Sequence, residues 1–253
     1  MKLGDRLYFN IDREVKIAPV IAALVSRTVL FLIFQFGAML VFLLTGSQTS
    51  QTASAALWPF AAVFSSIVSF ILIFVFMKKE NRSIFSLYRF DKTSVLKDIL
   101  IILGSFLVIG PIGFFPNLLL GNLLFGDYQV TAPMMFQPLP YWVALTGLIL
   151  FPLTVGLTEV PVYYGYVMPR LMKKTRPAAG LILTAFFHAL QHCALPFIPD
   201  WRFIAWRFGM FLPLAFVLAL LIYWRPRLFP YIVIIHVLMD VSAGAMLLAA
   251  AAK

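Results

Sequence analysis

An all-α, polytopic membrane protein is the fold class that the sequence predicts, and three observations predict it. Of the 253 residues, 62% are hydrophobic and only 12% are charged, against roughly 45–50% and about 25% in soluble domains. The mean hydropathy is +0.95. The apolar residues fall in long runs between short polar loops, and about seven spans of roughly 20 residues fit the chain. A formal charge of +10 would suggest nucleic acid in a soluble protein. Here it follows from membrane topology, so the expected surroundings are a lipid bilayer and no nucleic acid. Cys193 is the single cysteine, which excludes an internal disulfide and any CxxC motif and reads as a packing residue.

Taken in order, residues 1–18 mix both charges and read as a cytoplasmic, partly amphipathic lead-in. They are too acidic for a cleaved signal peptide. Residues 19–253 are expected to form a single transmembrane domain. The first span covers about 19–45, with Arg27 snorkelling to the inner interface. The uncharged loop 46–55 leads to span two, 56–77. The most basic loop follows, 78–98, and Ile84, Phe85, Leu87, Tyr88 and Phe90 suggest that it lies on the membrane surface. Span three runs over 99–120, with kinks expected at Pro111 and Pro116. The loop 121–140 includes residues 132–136, read as a lip or re-entrant piece. Span four, 141–172, is longer than a bilayer needs, and Pro152 and Pro161 bracket Glu159 inside it. Spans five, six and seven follow at 178–197, 203–224 and 230–252.

Basic residues set the orientation. Sixteen of the twenty Lys and Arg fall in alternate loops on one side, which puts the N-terminus in the cytoplasm and the C-terminus outside. The expected setting is an integral, multi-pass protein, in the plasma (inner) membrane if the cell is prokaryotic.

Glu159 is the centre of interest. A carboxylate deep in a bilayer costs roughly 2.5–3.5 kcal/mol on insertion scales and persists only where something compensates. His188 and His192 are four apart in span five, and His236 and Asp240 are four apart in span seven, so each pair shares a helix face. The expected site therefore joins helices four, five and seven.

The pattern resembles a family, the CAAX protease and bacteriocin-processing (CPBP, also called Abi) intramembrane endopeptidases, which include the eukaryotic prenyl-protein endopeptidases. Its first motif reads Glu-Glu, two residues, an aromatic, Arg and Gly. Glu159, Tyr163 and Gly165 match it, while Val160 replaces the second glutamate and Tyr164 replaces the arginine. The second motif, Phe, three residues, His, is met by His192, with His188 in the Phe position. The third, His, three residues, Asn or Asp, is met by His236 and Asp240. A CPBP-like core at about 141–252 is implied. Two charges of the first motif, one helical turn apart, are absent together, as in the exchange of a supporting pair.

The resemblance implies a CAAX-prenyl-protease-like enzyme in which Glu159 and His192 activate a water, His236 donates to the oxyanion and Asp240 orients His236. Tyr163, Tyr164 and His188 have supporting places. The implied substrate is a peptide or protein, with a prenylated C-terminus, a leader peptide and a membrane segment all open. No cofactor is expected. The variant mechanism is a zinc held by His188, His192 and His236 with an open position. Two other functions compete: a non-proteolytic scaffold, immunity or regulatory protein, and a small transporter. Against the transporter, no inverted repeat or paired broken helices are visible.

Overall fold

The computed structural model describes residue 11 and residues 14–251. The lead-in expected over 1–18 lies for the most part outside the described residues, and so does Lys253 at the C-terminus. The described residues form ten α-helices with short 3-10 turns and no strand. The long ones are α1 (Ile17–Leu44), α3 (Trp58–Lys79), α4 (Val95–Phe125), α6 (Tyr141–Gly156), α8 (Pro177–Gln191), α9 (Trp201–Trp224) and α10 (Phe229–Ala249). The short ones are α2 (Ser50–Ala56), α5 (Thr131–Met135) and α7 (Met168–Lys174).

Among the described residues, six helical runs are long and apolar enough to cross a membrane. The expectation was seven. The difference is the fifth segment, where α8 has 15 residues and passes into a 3-10 turn at His192–Ala194. At 1.5 Å per residue that helix is about 22 Å long, short of the roughly 30 Å hydrocarbon core. It still runs between the two ends of the bundle. Arg170 pairs with Glu80, and Arg227 with Asp98 at 2.9 Å, which gathers the ends of α3, α7 and α9 with the start of α4. The opposite end is tied by Trp206 Nε1 to Asn117 at 2.9 Å and Trp58 Nε1 to the Met135 carbonyl at 2.8 Å.

α4 continues through Pro111 and Pro116 and stops at Gly126, whose φ of +79° supplies a left-handed cap. The expected lip is α5 with the 3-10 turn before it, and Thr131 and Met135 there are buried.

The run from α6 to α7 is the distorted one. After Gly156 the helix loosens at Leu157 and Thr158, and Pro161–Val167 is π-helical. Pro161 has no N–H to return to the carbonyl of Leu157 four residues earlier. Tyr88 Oη donates to that carbonyl instead, at 2.6 Å. The surface segment Ile84–Tyr88 is thereby seated on the Glu159 stretch. Gly165 allows this, since a side chain there would meet Leu87 at 2.8 Å and Phe229 at 3.1 Å.

α10 lies against α6 at very short range. A Cβ on Gly156 would stand 2.8 Å from the Val237 Cα, and one on Gly244 would stand 2.9 Å from Leu148. That approach carries His236, the residue before Val237, to Glu159.

Candidate active site

All seven residues expected at the site converge, and Glu159, 2% exposed, is the hub. Its Oε1 meets Nε2 of three histidines: His188 at 2.8 Å, His236 at 3.3 Å and His192 at 3.7 Å. Its Oε2 accepts from Arg27 Nη2 at 3.0 Å.

Arg27 corrects the sequence reading. It does not snorkel to an interface but is fully buried, at 0% exposure. Its Nη1 donates to Ser66 Oγ at 3.0 Å and its Nε to Gln191 Oε1 at 2.8 Å. Each nitrogen of the fork thus finds an acceptor on another element: α3, α8 and the α6–α7 run. A lone arginine in an apolar span pairs with an acid or with carbonyls when it cannot reach water. Glu159 is the acid that it finds, 132 residues away. The signal was present in the sequence as one deep arginine and one deep glutamate.

His188 is held on both sides. Its Nδ1 is 2.6 Å from Tyr164 Oη, and its ring stacks on Tyr163 with centroids 5.0 Å apart. The Tyr164 hydroxyl donates to the Ala215 carbonyl at 2.9 Å, so toward His188 it accepts, and the ring hydrogen sits on Nδ1. The contact between Nε2 and Glu159 Oε1 is then closed by one shared proton. Two departures from the family motifs, Tyr164 for arginine and His188 for phenylalanine, are therefore bonded to each other. Arg27 brings a guanidinium to Glu159 from outside the motifs.

His192 caps α8 at the start of the 3-10 turn. Its ring lies flat on Phe211, with centroids 3.5 Å and planes 9° apart. At 3.7 Å from Glu159 it leaves a gap wider than a hydrogen bond. His236 and Asp240 approach on α10, Nε2 to Oδ2 at 3.7 Å, without a hydrogen bond. The same Nε2 faces Glu159, so Asp240 acts on His236 by proximity and not through the other ring nitrogen. Both atoms are unpartnered among the described residues.

These groups border a cavity of about 560 Å³. Much of its wall is apolar, with Ile102, Phe106 and Ile109 on α4, Leu214 and Leu218 on α9, and Ile232 and Ile235 on α10, while Asn117, Thr131 and Arg207 add polar groups. Gly110 and Phe114 on α4, and Met239, Ser242 and Met246 on α10, line it while remaining exposed. The cavity therefore opens sideways between α4 and α10, at the depth where lipid chains lie.

Glu159, His188 and His192 offer ligand atoms within 4.8 Å of one another, a metal-like set among the described residues. It differs from the expected zinc ligands, since Glu159 stands in the place of His236.

Residues 140–242 match the family model for type II CAAX prenyl endopeptidase Rce1-like proteins. This is an Rce1-like domain. The match agrees with the resemblance to the CPBP family drawn from the three motifs. No curated protein and no solved structure matches the chain. The Rce1-like domain contains Glu159, His188, His192, His236 and Asp240 and excludes Arg27. The six apolar helical runs fit a multi-pass membrane protein, and residues 140–242 are similar to a membrane protease domain.

Proposed function

We propose that the protein is an intramembrane endopeptidase that hydrolyses a peptide bond with a water activated at Glu159. The observation that carries this reading is one carboxylate oxygen facing three imidazole nitrogens inside a cavity open to the bilayer. A water beside Glu159 Oε1 and His192 Nε2, on the cavity side of the pair, gives a hydrogen bond to each and turns a lone pair toward a substrate carbonyl. As its oxygen bonds to that carbon, its proton passes to Glu159. The oxyanion is met by the Nε2–H of His236, which makes no hydrogen bond among the described residues. The C–N bond then breaks, and the proton on Glu159 goes to the leaving amine. Arg27 and His188 hold the carboxylate in place throughout.

The reading needs no metal. Glu159 Oε2 already faces a guanidinium, and a divalent cation on the same carboxylate would stand against that charge. The substrate follows the family description: a prenylated peptide, whose chain suits the sideways opening and the apolar walls. The competing reading is a non-proteolytic scaffold, favoured by the hydrogen bond on every guanidinium nitrogen of Arg27, a pattern that a purely structural ion pair also has.

Cleavage of a prenylated peptide by the purified protein in nanodiscs separates the two. Glu159→Gln and His192→Phe should each lower turnover by at least about 10²-fold, the usual scale for a general base. His192→Phe keeps the stack on Phe211 and a folded protein. Chelators should leave most of the wild-type activity. Full biological function in both variants would establish the scaffold instead.

A further inference from the structure

Arg207 on α9 is 5% exposed, and its charge is not matched. In the structure its Nε donates to the His192 carbonyl at 3.1 Å and its Nη2 to the Leu195 carbonyl at 2.8 Å. Nη1 meets the Met210 thioether at 3.9 Å, a weak acceptor. Among the described residues no carboxylate pairs with it, whereas the other two buried arginines, Arg27 and Arg170, meet Glu159 and Glu80. Two carbonyl dipoles orient a guanidinium, but they do not cancel its charge, and an unmatched charge in apolar surroundings is costly.

Its position gives the charge a use. Arg207 and Met210 border the same cavity as Glu159. The guanidinium carbon lies 4.8 Å from the centre of the Phe211 ring, on which His192 is stacked. Arg207 is thus linked to Glu159 by a chain of three contacts, 4.8 Å to Phe211, 3.5 Å from Phe211 to His192 and 3.7 Å from His192 to Glu159. Three or four extended residues, at about 3.4 Å each, cover such a distance.

We propose that Arg207 receives the free α-carboxylate at the C-terminus of the peptide substrate, an inference that rests on the endopeptidase reading above. A guanidinium fork bonds a carboxylate through two donors. With the terminus anchored there, a peptide bond a few residues upstream lies over Glu159. An internal segment of a protein brings no carboxylate and leaves Arg207 unmatched, so the pocket selects short C-terminal tails over loops.

The test uses the full chain in nanodiscs and a fluorescent peptide ending in farnesyl-cysteine and three apolar residues. The peptide is made as the free acid and as the C-terminal amide, and binding is followed by anisotropy. The acid should bind at least about tenfold more tightly than the amide, the scale of a lost buried charge pair. Arg207→Gln should bring the acid down to the amide's affinity and leave the amide within about twofold. Arg207→Lys, which keeps the charge, should retain part of the preference and serves if the Gln variant does not fold. Equal affinities in the wild type, or an unchanged preference in Arg207→Gln, would overturn the proposal. So would equal competition from nanodiscs rich in phosphatidylglycerol, which would assign Arg207 to lipid headgroups. Cleavage is read in the same samples: an acid preference without any cleavage keeps the anchor and rejects the endopeptidase.

Discussion

Arg27 changes what can be asked of Glu159. With a buried guanidinium on one oxygen, the carboxylate is half of an ion pair, and removing either partner strands the other. Breaking a buried pair costs about 3–5 kcal/mol. Arg27→Met and Glu159→Gln should therefore each destabilise the protein by that order, and the double variant by clearly less than the sum. Thermal unfolding in detergent or nanodiscs checks this. Additive losses would mean that the two residues are not coupled. Arg27→Lys keeps the charge but cannot reach Ser66, Gln191 and Glu159 together, so it should recover only part of the stability.

At the scale of elements, the distortion between α6 and α7 sets the direction in which Glu159 points. Pro161 leaves the Leu157 carbonyl without its helical donor, and Tyr88 supplies one from another segment. Tyr88→Phe leaves a polar group unpaired, at about 1–3 kcal/mol. Tyr88→Phe with Pro161→Ala should regain most of that, because residue 161 then carries an N–H of its own. If the double variant is no more stable than Tyr88→Phe alone, this account of the break fails; unfolding temperatures decide it. Much of this architecture was legible beforehand. The long runs of α1, α3, α4, α9 and α10 follow from hydropathy, and Pro152 and Pro161 marked the irregular stretch around Glu159. The short α8 was not legible, since Ala194–Phe197 is as apolar as the helix before it, and the turn at His192 leaves no trace in hydropathy. Glu159, His188, His192, His236 and Asp240 were legible because polar residues stand out in apolar spans. Arg27 was misread because its partner, a carboxylate 132 residues away, belongs to tertiary structure.

At the scale of the whole molecule, the opening between α4 and α10 is the route that a lipid-anchored substrate would take from the bilayer. Gly113 lines the cavity, and a Cβ there meets nothing within 4 Å. Gly113→Leu should leave stability level or slightly higher, since leucine favours helix by about 1 kcal/mol over glycine. It should lower kcat/KM for a farnesylated peptide by at least about tenfold relative to the same peptide without the chain, on the view that a filled wall excludes about one buried side chain's worth of apolar contact. Equal effects on both peptides would show that the chain does not enter there. The Arg27–Glu159 pair also has a consequence in time. A ribosome makes the arginine first, so its charge waits for its partner while α3, α4 and α6 are threaded into the lipid. Ser66 comes to it early, Glu159 and Gln191 later, and His236 nearly last. On the endopeptidase reading, a nascent chain would therefore cut nothing until its last helix has joined the bundle.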